Sequence, residues 1–194
     1  MAPPTDLRTR RREQTQAEVI AVSWRLAERD GIAGLSLRDI AAEVGMRAPS
    51  LYTYFASKSA IYDAMFAAGF RELDELAAGV PIDPEHPVDT ITGQIDAFIG
   101  FCQASVPRYQ LLFTRAVPGW EPSPEAYAVS VDSYARLVGQ LAGLGIDQPR
   151  HLELLTGLTS GLAAQQLAND PDGSRWRDLS REAAQMFLAH VRSG

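Results

Sequence analysis

Residues 37–58 read LRDIAAEVGMRAPSLYTYFASK. Ile40 and Val44 recur at helical spacing, and Gly45 can end that helix because glycine tolerates a positive φ. Pro49 suits the first turn of a second helix, where its missing N–H is harmless. The stretch therefore predicts two short helices, about 37–44 and 48–55, joined by a tight turn.

The two helices have distinct buried and outward faces. Ala41 is small enough for a close helix crossing, and Gly45 follows four residues later. The side chains expected to pack against a preceding helix are Ile40, Val44, Met46, Leu51 and Tyr54 or Phe55, whereas Arg47, Ala48, Ser50, Tyr52 and Thr53 project outward. The pattern fits a helix-turn-helix whose second helix enters a DNA major groove. On the Ala41–Gly45 spacing alone, however, a helical hairpin whose aromatic residues belong to a core is the favoured interpretation.

The rest of the chain is predicted to be helical as well. A first helix runs from Thr15 to Asp30, Ser36 and Asp39 form a capping box with Asp in place of Glu, and Ser57 caps a helix that ends at Gly79. After a proline-rich break, proline and glycine residues separate five further segments, about 88–105, 107–116, 124–143, 149–169 and 175–192. We expect an all-α protein of about nine helices.

Composition excludes several classes of protein. The chain has 194 residues, of which 46% are hydrophobic and 22% charged, so it is not a disordered chain. Its single cysteine, Cys102, excludes an internal disulfide, and its three histidines lie in separate segments without metal-ligand spacing, so no metal or cofactor is expected. No apolar run reaches the length of a membrane span, and we expect a cytoplasmic protein.

Charge is unevenly distributed along the chain. Residues 1–62 hold nine arginine and lysine residues against seven acidic ones, a net charge of +2, whereas the remainder holds nine against 17, a net charge of -8. Positive charge is therefore concentrated where the chain could meet a polyanion. Residues 1–13 combine two prolines with four arginines and are expected to form a flexible basic arm.

A longer segment, GLSLRDIAAEVGMRAPSLYTYFASKSAIYDAM at residues 34–65, resembles the TetR family of bacterial transcriptional repressors. The resemblance covers roughly residues 14–68. It implies a three-helix helix-turn-helix DNA-binding domain over residues 14–57, and a C-terminal helical bundle domain over residues 58–194 that binds an effector and dimerises. The implied function is that of a ligand-responsive regulator, a repressor released from a palindromic operator.

Ten residues are candidates for contact with double-stranded DNA. Arg47 can bind a guanine, Ser50 and Thr53 can reach base edges or phosphates, and Ala48 and Pro49 can touch a thymine methyl group. Phosphate contacts are expected from Ser36, Arg38, Tyr52, Tyr54 and Lys58. The resemblance assigns Lys58 the same role. Thr53 stands where many relatives carry an aromatic residue or histidine, so the operator sequence is not predicted.

The C-terminal part offers two further candidate sets. An effector site for a small apolar or aromatic molecule is expected among helices five to seven, lined by Phe98, Phe101, Cys102, Tyr109, Phe113, Trp120, Tyr127 and Tyr134. A homodimer interface is expected on the last two helices, at Leu155, Leu158, Leu162, Met186 and Phe187. Aromatic stripes at helical spacing also occur in ordinary cores, so core packing is the alternative for each.

No catalytic pattern is evident, and the chain is not expected to be an enzyme. Residues 157–161, GLTSG, are not a Gly-x-Ser-x-Gly nucleophile turn, and no strand precedes them. Two rival functions remain open. One is a module that binds an acidic protein through the basic arm and hairpin, and the other is a helical small-molecule-binding protein without specific DNA binding.

Overall fold

A computed structural model describes residues 7–193. Its described residues form nine α-helices and two short 3-10 segments. The helices are α1 (Leu7–Asp30), α2 (Leu37–Glu43), α3 (Ala48–Leu51), α4 (Lys58–Ala78), α5 (Pro87–Ala104), α6 (Val106–Phe113), α7 (Pro124–Ala142), α8 (Pro149–Asn169) and α9 (Ser180–Ser193). The predicted all-α class, with a helix-turn-helix followed by a helical bundle, is confirmed.

The helices form an N-terminal and a C-terminal group that share helix α4. Helices α1, α2 and α3 pack around Leu26, Ile40 and Leu51, all of which are buried. In the second group α5 is central, because α8 and α9 both pack on it, and α7 packs along α4. Because α4 is one continuous helix, its first turns support the helix-turn-helix and its last turns support the bundle.

The first helix is longer than the sequence analysis expected. The prediction of a flexible arm is wrong for residues 7–13, which form the first turns of α1. Residues 1–6 of that arm lie outside the described residues. The segment LRTRRRE contains no glycine or proline and is rich in arginine, a good helix former, so the helix extends without burying this part.

Three other boundaries differ from the predictions. Helix α3 ends at Leu51 rather than at Phe55, since Thr53 and Tyr54 make turn hydrogen bonds to Ser50 and Leu51. Helix α6 ends at Phe113 because Thr114 is extended. The last helix begins at Ser180, and the segment before it is held by Gln166, whose side-chain oxygen accepts from the amides of residues 176 and 177.

Of the predicted N-terminal caps, one forms and one does not. The Ser57 hydroxyl accepts from the Ala60 amide at 3.1 Å and starts α4. The predicted capping box at Ser36 is wrong, because the Ser36 side chain accepts no capping hydrogen bond although its backbone is extended. Helix α2 is instead held by the packing of Ile40 and Ala41.

Candidate nucleic-acid interface and candidate cavity

The turn between α2 and α3 sets the orientation of the outward face. Gly45 has φ +77°, and the Met46 amide donates to the Ala41 carbonyl at 2.8 Å. Leu51 is buried on the inner side of α3. We call residues 47–54 the recognition segment, because the turn and the burial of Leu51 leave most of its other side chains exposed, while Ala48 and Tyr54 pack partly against the core.

The predicted DNA-contacting residues divide by exposure. Arg38, Arg47, Pro49, Ser50, Tyr52 and Thr53 are exposed, whereas Ser36, Ala48, Tyr54 and Lys58 are half-buried. Lys58 Nζ donates to the Ala33 carbonyl at 3.4 Å and lies 5.4 Å from the centroid of the Tyr62 ring. One short segment thus presents five exposed residues on a single surface, and Arg38 is exposed on the preceding helix. The five are Arg47, Pro49, Ser50, Tyr52 and Thr53.

Replacing Gly45 with alanine is expected to lower the free energy of unfolding by about 1–2 kcal/mol, because the left-handed backbone disfavours a side chain. A Cβ at Gly45 would meet nothing within 4 Å, so the cost is backbone strain and not a clash. Gly139 is a matched control, since it also has open space but lies inside helix α7. Gly139→Ala should instead stabilise the chain by about 0.5–1 kcal/mol. Urea unfolding of both variants gives the comparison, and a shift of the same sign would contradict it.

A cavity of about 240 Å³ lies between α4, α5, α7 and α8. Three of the predicted effector-contacting residues line it: Phe98, Phe113 and Tyr134. One wall is apolar, and Phe113 is packed there against Phe70 and Phe98 with ring centroids 5.7 and 5.1 Å apart. The apolar lining is completed by Leu73, Ala77, Ala78, Ile91, Ile95, Ala97, Leu137 and Leu155.

The other five predicted effector-contacting residues do not line this cavity. Phe101 and Cys102 are buried in the core one turn beyond the part of α5 that faces it. Trp120 packs on Tyr62 at 5.5 Å between ring centroids. Tyr109 is half-buried on α6, and Tyr127 is exposed on α7. The predicted set therefore includes both cavity and core residues, because helical spacing does not reveal where along a helix the neighbouring helices separate.

The polar side of the cavity was not predicted from the sequence. The Ser133 hydroxyl donates to Asp74 Oδ1 at 2.6 Å, and Arg136 forms an ion pair with the other oxygen of Asp74. Both contacts join α7 to α4, across about 60 residues of sequence. The available signal was Asp74 itself, an acidic residue one turn after Phe70 on an otherwise apolar face of α4.

Burial raises the pKa of the Cys102 thiol to about 12. The thiol is therefore protonated and shielded in the folded chain. We expect no reaction of Cys102 with 5,5′-dithiobis(2-nitrobenzoic acid) at pH 8 in the native state, and one thiol per chain after unfolding in guanidinium. Rapid native-state labelling would show that Cys102 is accessible and would contradict its assignment to the core.

The predicted dimer residues also divide by burial. Met186 is 61% exposed on α9, and Leu158 and Leu162 are half-buried on α8. Leu155 and Phe187 are buried within the chain, so the expectation that they contact a partner is wrong. A further exposed apolar residue, Leu154, lies on the outer face of α8. The predicted dimer residues include some from the buried face and some from the exposed face of α8 and α9, because each helix carries apolar residues on both faces.

Residues 7–193 contain neither a metal-binding cluster nor a membrane-spanning helix. No three histidine, cysteine or acidic side chains in this part of the chain are grouped so that they could hold a metal ion. None of the described helices combines the length and hydrophobicity that crossing a membrane requires.

Comparison with known proteins matches the helix-turn-helix to a family. Residues 19–65 match the family model described as bacterial regulatory proteins, tetR family. The chain is 27% identical over 119 residues to the HTH-type transcriptional regulator Rv1816 of Mycobacterium tuberculosis, covering 60% of this chain and 51% of that protein. It is 28% identical over 126 residues to the HTH-type transcriptional repressor SCO4008 of Streptomyces coelicolor, covering 65% and 62%. The chain thus spans about half to three fifths of the length of these curated relatives.

The fold also matches solved structures over nearly the whole chain. The crystal structure of the regulatory protein SCO4313 superposes with a TM-score of 0.76 at 20% sequence identity. The match covers 96% of this chain and 100% of that one. The similarity therefore extends beyond the helix-turn-helix and includes the C-terminal helical bundle.

Proposed function

We propose that this chain, whose residues 19–65 match the family model described as bacterial regulatory proteins, tetR family, is a DNA-binding transcriptional regulator and acts as a repressor. The observation that carries the proposal is the recognition segment, in which Arg47, Ser50, Tyr52 and Thr53 are exposed while Leu51 anchors it to the core. Residues 14–57 would form the DNA-binding domain. The repressor named SCO4008, one of the relatives, supports the sign of regulation.

Each exposed side chain of the recognition segment would have a distinct task in the major groove. The Arg47 guanidinium, at the N-terminal end of α3, can donate two hydrogen bonds to a guanine. Ser50 and Thr53 can reach base edges or phosphates, and Ala48 and Pro49 offer apolar contact to a thymine methyl group. Ser36, Arg38, Tyr52, Tyr54 and Lys58 would contact phosphates. The Lys58 ammonium would keep donors for a phosphate, because its contact with the Ala33 carbonyl uses one of three N–H groups.

A homodimer would present two recognition segments to one palindromic operator. The exposed apolar residues Leu154 and Met186 lie on α8 and α9, the two helices expected to pair.

Sedimentation velocity should show a dimer, which Met186→Glu should dissociate. Val131→Glu is the matched control, because Val131 is similarly exposed but lies on α7. Equal effects of the two substitutions would contradict the α8–α9 interface.

The cavity would hold the effector, a small neutral molecule with an aromatic or apolar body. The aromatic wall favours such a body, and the pairing of Asp74 with Arg136 leaves no net charge to attract an ion.

Neutral bicyclic aromatics such as naphthalene derivatives should raise the melting temperature of the chain. Ala77→Phe, which fills the cavity wall, should abolish that rise, and a rise that persists would place the binding site elsewhere.

Helix α4 would couple the cavity to DNA binding. Asp63 accepts from the Trp120 indole at 3.2 Å and from the Ser123 amide at 3.2 Å, and Asp74 binds α7 three turns later. A ligand that shifts α7 would therefore act on α4, whose first turn follows the recognition segment. Because coupling is reciprocal, DNA must weaken effector binding by the same factor by which effector weakens DNA binding. A ligand that binds the cavity and leaves DNA affinity unchanged would contradict the coupling.

The experiment that tests the proposed function is selection from random duplex DNA by the purified full-length chain. A palindromic sequence should be enriched, with half-sites about one helical turn, or 34–36 Å, apart. Salt sensitivity of the enriched sequences should show phosphate contacts.

A further inference from the structure

The first turns of α1 contact the end of the recognition segment. Arg12 Nη1 donates to the Thr53 carbonyl at 2.9 Å, and Gln16 Nε2 donates to the Tyr54 carbonyl at 3.2 Å. Arg12 and Gln16 are four residues apart and therefore lie on one face of α1. Neither contact joins neighbours in sequence, since they span 41 and 38 residues.

The Thr53 and Tyr54 carbonyls lie just beyond the end of the short helix α3. Helix α3 has only four residues, and the turn after it is closed by Thr53 and Tyr54 amides bonded to Ser50 and Leu51 carbonyls. Thr53 and Tyr54 follow the end of α3, so their carbonyls have no partner within that helix. A segment this short is not stable by itself, so its orientation depends on contacts with other elements.

The Tyr54 side chain adds a third contact to the same place. The Arg12 guanidinium carbon lies 5.6 Å from the centroid of the Tyr54 ring, within the range of a cation–π contact. Gln16 is half-buried and uncharged, so its contact with Tyr54 does not depend on long-range electrostatics. One cationic and one neutral side chain thus hold the same end of the recognition segment.

We propose that Arg12 and Gln16 are positioning residues that fix the recognition segment against α1 and thereby sharpen its discrimination between DNA sequences. The inference rests on the proposed function. It assigns Arg12 a task different from that of a basic arm that binds phosphate nonspecifically. Arg12 would orient the backbone that carries Thr53, and the base contacts would depend on that orientation.

The test compares two substitutions that remove the same charge. Arg12→Gln retains an N–H donor for the Thr53 carbonyl, whereas Arg12→Met retains only an apolar stem. Relative to Arg12→Gln, Arg12→Met should lower the ratio of affinities for the selected operator and a scrambled duplex about tenfold. If Arg12 serves as a phosphate contact, the two variants should lose affinity equally, and that result would overturn the proposal.

Arg11 provides the matched control pair. Its side chain lies on the same exposed turn of α1, and it makes no side-chain hydrogen bond to any residue of the recognition segment in the described part of the chain. Arg11→Gln and Arg11→Met should therefore have the same affinity ratio. Gln16→Met should lower the ratio without changing the dependence of affinity on salt, because no charge is removed. An unchanged ratio for Gln16→Met would contradict the role of Gln16.

Hydrogen exchange of the free protein separates this proposal from the proposed function. Arg12→Met should speed exchange of the amides of residues 53–55, whereas Arg12→Gln and Arg11→Met should leave it close to that of the unsubstituted chain. Equal exchange in all three variants would overturn the positioning role. If the unsubstituted chain selects no DNA sequence, the proposed function fails, and the exchange comparison still decides whether Arg12 holds the segment.

Discussion

Phe101→Ala is expected to lower the free energy of unfolding by about 3–5 kcal/mol, the usual cost of removing a fully buried aromatic ring. Phe101 is 2% exposed in α5. Its ring lies under Arg108, whose guanidinium carbon is 4.1 Å from the ring centroid, and its carbonyl accepts from Arg108 Nη2 at 3.1 Å. Loss of the ring would leave a cavity and deprive a half-buried cation of its packing surface.

Phe113→Ala is the matched control for that prediction. Phe113 was assigned to the same effector site by sequence, but it is 36% exposed and lines the cavity. Its removal should cost about 1–2 kcal/mol and weaken the binding of aromatic ligands. Urea unfolding followed by circular dichroism measures both variants. A loss for Phe101→Ala as small as that expected for Phe113→Ala would contradict the assignment of Phe101 to the core.

Leu51→Ala is expected to cost about 2–5 kcal/mol and to abolish specific DNA binding. Leu51 is 1% exposed and is the buried anchor of α3. Because α3 has four residues, no other side chain of that helix can replace this anchor. The recognition segment would lose its fixed orientation even if the rest of the chain remained folded.

Tyr52→Ala tests the outward face at the next position in sequence. Tyr52 is 56% exposed, so its replacement should change the free energy of unfolding by less than about 0.5 kcal/mol. DNA affinity should nevertheless fall through the lost phosphate contact. Hydrogen exchange at residues 47–54, measured together with DNA binding, should therefore distinguish Tyr52→Ala from Leu51→Ala. A stable Leu51→Ala variant with unchanged DNA affinity would contradict the packing described for α3.

Local signals in the sequence were sufficient for most of the fold. The cap at Ser57 depends on residues within a few positions, and the left-handed turn at Gly45 does too, so both could be predicted. Sequence also separated the buried Leu51 from its exposed neighbours, because the packing of a short amphipathic helix follows its period.

Contacts between distant elements could not be predicted in this way. The pairing of Asp74 with Ser133 and the contact of Arg12 with Thr53 both depend on how helices pack, and a single-helix period does not record that packing. The same limitation placed Phe101 and Phe113 in one set, although one is core and the other lines the cavity. Burial of Leu155 and Phe187 likewise depends on the faces that α5 covers.

The most direct test of DNA reading by the recognition segment is selection from random duplex DNA with the unsubstituted chain, Arg47→Ala and Arg47→Lys in parallel. The unsubstituted chain should enrich a palindrome with half-sites about one helical turn apart. Arg47→Ala should lose the preference at one guanine position in each half-site, and Arg47→Lys should retain affinity better than preference, since lysine lacks the planar two-donor geometry. The same enriched palindrome from all three proteins, or none from the unsubstituted chain, would contradict the assignment of this surface to DNA reading.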